Sequence, residues 1–271
     1  MTETDLRLEP LVQRRPLPAE VRALRDLAAD EAQKRERELG PPVAAHLAAY
    51  EAAVERLVGA HAGIANGTDL GIGTDTRWSA IWEISGRCLS ECRLLLYALR
   101  GGFSVESSSN ERAVFEAMYL LTAIAFDDEV LRRWLAGDYV RPKTARGVVA
   151  KKQELAHERM REAGIEPDGD VVSSGEWLYD YFSRSAHHRR APMTVSVSLD
   201  RREFAYGPHP DPVRRSVEIW HAGQTIETAL IVVADSLAYI VERGDLAEFL
   251  REQGAALEAV RQRYPLLDES S

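Results

Sequence analysis

Apolar residues recur at helical spacing along almost the whole chain. A charged segment from Pro18 to Leu39 is followed by a second periodic segment from Val43 to about Ala60. A longer periodic segment runs from Arg77 to Arg100. Because apolar positions three and four residues apart share one face of a helix, these segments are predicted to be amphipathic helices. The pattern therefore predicts an all-α fold, a helical bundle.

The same spacing continues towards the C-terminus, and the segments end at glycines, prolines or acidic caps. Asp127 and Asp128 have the residue type and position of a helix cap. We expect further helices at about Val105–Phe126, Asp128–Trp134, Pro142–Ala163, Gly175–His188 and Pro212–Arg243, and a last one that ends near Arg263.

Two segments depart from the helical period. Residues 61–76 are rich in glycine and have no period, which predicts a loop. Residues 193–199 alternate as a strand does, and Glu203–Tyr206 could pair back, so one small β-hairpin is predicted near 193–206. We divide the chain into an N-terminal helical pair with its loop (1–76) and a main bundle (77–271), together one continuous domain.

The segment Ala113–Phe126 is apolar except for Glu116 and Thr122. A helix that is apolar all round is normally buried, and a buried carboxylate needs a partner. Arg112 is four residues earlier and shares a side of the helix with Glu116. The pair has three readings: a structural ion pair that fixes the helix register, a catalytic acid or substrate clamp, or a solvated surface pair.

Ser183 and His187 are also four residues apart, in the string YFSRSAHHRR. Histidine is the usual proton carrier near neutral pH, and a serine on the same face could orient it or hold a substrate. The alternative is structural, because the helix macrodipole favours cationic residues at a helix C-terminus whatever the function.

The predicted helix Pro212–Arg243 carries a stripe of polar side chains in one narrow sector: His221, Gln224, Thr228, Asp235 and Tyr239. One interpretation is the solvent side of an amphipathic helix. Since Val217, Trp220 and Ile231 border the same sector, the stripe could instead line an internal pocket.

Three short motifs are too weak to predict a site. Glu154-x2-His157 and Glu218-x2-His221 have the spacing of di-iron bundles, but Glu154 and His157 are expected to face water. Arg215-x5-His221 matches the Arg-x4–6-His element of ribonuclease-type helical domains, and arginine is frequent enough here for chance matches. A di-iron oxidase is thus a lesser alternative, and we expect no metal and no cofactor.

Composition limits the partners and the compartment. The net charge of -9 argues against broad binding to nucleic acid or to anionic membranes. The N-terminal residues are partly acidic and lack the apolar run of a signal peptide, and Ala113–Phe126 and Ala229–Val241 are too short to cross a membrane. Cys88 and Cys92 are expected to be reduced thiols in the core. We expect a cytoplasmic bacterial protein without a membrane partner.

The order of several features resembles a known family. A long helix precedes Gly101-Gly102, and then come Arg112-x3-Glu116, Arg133-Trp134 and Tyr181-Phe182-Ser183 with His187. This order is similar to that of a family of uncharacterised all-helical bacterial proteins, which are sometimes compared with the HEPN (higher-eukaryote-and-prokaryote nucleotide-binding) domains. The resemblance covers about residues 77–243.

The resemblance implies a site made of Arg112, Glu116, Ser183 and His187. It also implies RNA cleavage in toxin or anti-phage systems, with Arg and His acting across a dimer interface. The chain departs from that pattern, because Arg184 lies only three residues before His187. The partners implied are a second copy of the chain and RNA or a small anionic ligand.

Two functions follow. The first is a binding or scaffold protein in a bacterial stress or defence setting. The second is a HEPN-like, metal-independent ribonuclease or another hydrolase, in which His187 is the general acid/base and Arg112 binds an anionic group.

Overall fold

The computed structural model describes residues 40–67, 76–101, 104–164, 166, 212–241 and 244–265. These residues form helices and short connections without any strand, which confirms the predicted all-α class. The described helices are α1 (Pro41–Gly67), α2 (Arg77–Gly101), α3 (Ser104–Phe126), α4 (Asp128–Leu135), α5 (Pro142–Glu162), α6 (Pro212–Val241) and α7 (Gly244–Arg263). The predicted hairpin near 193–206 and the predicted helices at 18–39 and 175–188 lie outside the described residues.

Helices α2, α3 and α6 pack against one another and form the centre of the bundle. Helix α1 covers α2 and α6, α7 packs on α1 and α6, and α5 packs on α3. One core runs through all of them, and its fully buried side chains include Leu47, Leu57, Ile81, Leu95, Leu121, Ile226 and Leu237. Within the described part of the chain, no helix is both long and apolar enough to cross a membrane.

Helix α1 extends through residues 61–67, so the loop predicted there is wrong for that part. Ile64 is fully buried. The ring of His61 stacks on Trp82 with centroids 4.6 Å apart. His61 Nε2 donates to the Trp82 carbonyl at 2.8 Å, and Trp82 Nε1 donates to the His61 carbonyl at 3.2 Å. These contacts with α2 outweigh the weak helix propensity of the local glycines.

The side chain of Asp127 caps α4, as the sequence predicts. Its Oδ1 atom accepts from the backbone N–H of Glu129 at 2.9 Å and from that of Val130 at 3.0 Å. Two of the unpaired donors at the start of the helix are thereby satisfied. The cap fixes the point where the chain leaves α3 and turns into α4.

A close contact holds α1 against α6. The ring of Tyr50 packs directly on Gly223, and the Tyr50 side chain is buried. Glu227 of α6 and Arg261 of α7 form an ion pair beside it. Burial, followed by the charge of Glu227, raises the pKa of Tyr50 to about 12, and the hydroxyl therefore stays protonated. Three helices meet at this hydroxyl.

Candidate functional site

The acidic side chain buried in the described core is Glu111 of α3, which is 3% exposed. Thr225 of α6 lies across from it, with its Oγ1 atom 3.4 Å from Glu111 Oε2. The same hydroxyl is 3.3 Å from the His221 carbonyl oxygen. Since a hydroxyl has one proton, it is shared between these two acceptors. The contact places a carboxyl group inside the α3–α6 interface.

The environment of Glu111 favours its neutral form. Burial raises the pKa of this carboxyl well above its usual range, and the nearby charge of Glu218 on α6 raises it further. The hydrogen bond from Thr225 opposes the two effects but is the smallest of the three. Glu111 therefore keeps its proton to a higher pH than a solvated glutamate does.

Glu111 is not among the predicted site residues, although the sequence contains a pattern that could have revealed it. Ser107 and Ser108 lie one turn before it and Val114 and Met118 one and two turns after it, and all four are buried. Glu111 therefore stands in the inward stripe of α3. Glu116 is five residues on, which is about 140° around the helix at 3.6 residues per turn.

The predicted pair of Arg112 and Glu116 is present, with Arg112 Nε donating to Glu116 Oε1 at 2.9 Å. Glu116 is only partly shielded from water and is not buried in the core, because the two side chains remain 23% and 24% exposed. Glu116 has apolar neighbours in the sequence, but its side chain lies at the edge of the packed face of α3 and not in the core. An ion pair at this depth contributes at most about 1 kcal/mol to stability.

The structure brings together only part of the predicted catalytic set. Arg112 and Glu116 are adjacent, whereas Ser183 and His187 lie outside the described residues. The convergence of the four side chains therefore stays a prediction.

The polar stripe on α6 lies on the outside of the bundle at residues 221–235, and the side chain of Tyr239 is not among the described ones. Gln224, Thr228 and Asp235 are exposed, and His221 is half-buried with its ring edge-on to Trp220 at 4.9 Å. Two large apolar residues share this sector, Trp220 at 42% and Ile231 at 50% exposure. We call the surface formed by Trp220, Gln224, Thr228, Ile231 and Asp235 the α6 outer face.

Among the residues that the structure describes, no three His, Cys, Asp or Glu side chains are grouped so that they could hold a metal ion. Cys88 and Cys92 are free and fully buried. The hydrogen bond with Cys88, together with burial, raises the pKa of the Cys92 thiol well above its usual range. Metal binding requires a thiolate, which this environment disfavours.

We compared the chain with profiles of known protein families, with curated proteins and with solved structures, and none of the three comparisons found a match. The resemblance to HEPN-like proteins stays a prediction.

Proposed function

We propose that this protein is a non-catalytic binding or scaffold protein that contacts other protein chains through the α6 outer face. The observation that carries the proposal is the exposure of Trp220 and Ile231 on one side of the central helix. Aromatic residues are enriched in protein interfaces and often dominate their binding energy.

The α6 outer face is presented on a rigid support. The opposite side of α6 is buried in the core through Ile219, Ile226, Val233 and Leu237. Along about 22 Å of helix, at 1.5 Å per residue, the face carries one charged residue, Asp235. Interface centres are similarly poor in charge. A fixed, weakly charged and partly apolar surface suits docking of a folded partner.

Two other groups of exposed apolar residues on the described helices have charged neighbours. Leu94 and Tyr97 on α2 lie beside the ion pairs Arg93–Glu55 and Arg100–Glu51. The exposed ring of Phe126 has the ammonium group of Lys152 6.0 Å from its centroid. The charged neighbours at these two surfaces favour solvent contact over docking.

The polar residues in and beside the core also support a binding role, since they engage one another. The Nε atom of Arg112 donates to Glu116, and Thr225 lies against Glu111. A charged pair held in this way fixes helix register, a structural use of buried or half-buried ions. Because of the resemblance described above, we propose that this binding role belongs to a bacterial stress or defence setting.

The α6 outer face can be probed in cells with a photo-crosslinking amino acid at position 228. We expect a covalent adduct with a second polypeptide at this position, and none at position 90, an exposed serine on α2. Trp220→Glu should remove the adduct at 228, because a charge replaces the apolar anchor. Equal adducts at 228 and 90, or none at 228, would contradict the proposal.

A second candidate is a HEPN-like, metal-independent ribonuclease or another hydrolase, with Arg112 binding an anionic group and His187 as general acid/base. The partial exposure of the Arg112 side chain favours it, because the guanidinium group is within reach of a ligand.

An RNA cleavage assay separates the two functions. We expect the wild-type protein to leave single-stranded RNA intact in the presence of EDTA, with no difference from Arg112→Ala or His187→Ala. Arg87→Ala, at an exposed arginine of α2, is the matched control. Cleavage that disappears in the first two variants and persists in the control would establish the enzyme.

A further inference from the structure

We infer that the carboxyl group of Glu111 is a protonation switch between the first half of α3 (residues 104–114) and the first half of α6 (residues 212–226). The two segments are held together while the carboxyl is protonated and separate locally when it ionises. The switch lies on the inner side of α6, so it goes beyond the proposed binding function and does not depend on the α6 outer face.

Helices α3 and α6 begin at the same end of the bundle. Four contacts give the helix directions: Arg100–Glu51 and Arg93–Glu55 between α1 and α2, and His46–Tyr264 and Arg56–Glu252 between α1 and α7 or its end. In each set a later residue of α1 meets an earlier residue of the other helix, so α1 is antiparallel to α2 and α7. Helices α3 and α6 pack on α2 and α7 and are joined to them by two residues, as in αα-hairpins. Both therefore run in the direction of α1.

The contact between α3 and α6 is polar where the two helices begin. Buried polar side chains are concentrated in the two first halves: Ser107, Ser108, Glu111, Ser216 and Thr225. The second halves bury apolar side chains instead, among them Leu121, Ile124, Val233 and Leu237. Apolar burial holds the second halves together whatever the pH. The first halves are thus the part of the contact that a change of charge can open.

The atoms around Glu111 suit its protonated form. Glu111 Oε2 is 3.4 Å from Thr225 Oγ1, which is 3.3 Å from the His221 carbonyl oxygen. A protonated carboxyl can donate to the Thr225 hydroxyl, which then donates its own proton to the carbonyl. An ionised carboxyl competes with that carbonyl for the single proton. The protonated form therefore satisfies both contacts, and the ionised form satisfies only one.

The charges around Glu111 also oppose its ionisation. Among the described residues, the charge that acts on Glu111 is that of Glu218 on α6. Neither the His221 ring nor any group of α2, α4 or α5, which also pack on α3, adds to it, and the adjacent Arg112 donates to Glu116. A carboxylate that is 3% exposed and lies beside a like charge is costly. Local separation of the helices admits water and removes this cost.

Hydrogen exchange of the purified full-length chain, followed by mass spectrometry from pH 5 to 9, shows where the protein opens. After correction for the intrinsic exchange rate, the opening constant of the two first halves should rise by up to about tenfold per pH unit, because the open state releases the proton. The rise should end at the pKa of Glu111 in the closed state. The second halves should not respond. An equal response in both halves, or none in the first halves, would overturn the inference.

Two carboxyl variants on α3 identify the group that titrates. Glu111→Gln should abolish the pH response of the first halves, since its amide has no proton to lose. Glu116→Gln is the matched control, at a partly exposed carboxyl on the same helix, and should keep the wild-type response. A response that persists in Glu111→Gln, or that disappears in Glu116→Gln, would assign the titration to another group.

Two neighbours of Glu111 should shift the pH at which the rise ends in opposite directions. Thr225→Val removes a hydrogen bond that favours the carboxylate, so the pKa of Glu111 increases and the rise continues to a higher pH. Glu218→Gln removes the like charge, so the rise ends at a lower pH. A packing defect alone would change exchange equally at every pH. Shifts in the same direction, or no shift in either variant, would contradict the switch.

Discussion

Replacing Gly223 by alanine is expected to destabilise the protein by about 3 kcal/mol, at the upper end of the range for overpacked cores. A Cβ atom at this position would lie 2.5 Å from Tyr50 Cζ and 2.9 Å from Tyr50 Cε2. The ring cannot withdraw easily, because it is 3% exposed and its hydroxyl interacts with Glu227 and Arg261. Urea unfolding followed by circular dichroism gives the change in the free energy of unfolding.

Two further variants isolate the cause of this loss. Gly63→Ala in α1 is the matched control, because its Cβ atom would meet nothing within 4 Å. We expect it to stabilise the protein by up to about 1 kcal/mol through higher helix propensity. Tyr50→Leu should cost less in the Gly223→Ala background than in the wild type, since it removes the clash. A Gly223→Ala variant as stable as the wild type would refute the close contact.

The contact between Gly223 and Tyr50 shows why the fold could be predicted only in part. The apolar period of α2 and α6 is a local property, and it gave the helices and the all-α class. From the sequence alone, a glycine inside a helical pattern indicates only that the helix is less stable at that point. The aromatic ring that requires this glycine belongs to a helix far away in sequence. The extension of α1 to Gly67 was missed for the same reason, since the stack of His61 on Trp82 is a tertiary contact.

The candidate site could also be predicted only in part. The pair of Arg112 and Glu116 depends on a separation of four residues within one helix, and its formation could be predicted. The side of α3 that faces the core could not be predicted, because apolar residues occupy most of the circumference between Ala113 and Phe126. The inward side is set by packing on α2 and α6. That packing buries Glu111 and leaves Glu116 at the edge.

Substituting Glu111 by glutamine is expected to change the pH dependence of stability. The pKa of this carboxyl is raised in the folded state, chiefly by burial, whereas in the unfolded chain it is near the usual value of about 4.3. Below that pH both states are protonated. As the pH rises above it, the unfolded state releases a proton that the folded state retains. Wild-type stability therefore falls, by up to about 1.4 kcal/mol per pH unit, until the folded-state pKa is passed.

Glu111→Gln removes this penalty, since its amide has a similar shape and no charge to lose. Urea unfolding at pH 5, 6, 7 and 8 should show the variant gaining on the wild type as the pH rises. Glu55→Gln is a control of opposite sign, because the hydrogen bond from Arg93 lowers the pKa of that exposed carboxyl. It should be less stable than the wild type by a constant amount from pH 5 to 8, because that carboxyl is ionised in both states there, and the difference should shrink only below about pH 4.3, the unfolded-state pKa. Parallel pH profiles for Glu111→Gln and the wild type would show that the Glu111 carboxylate is solvated in the folded state.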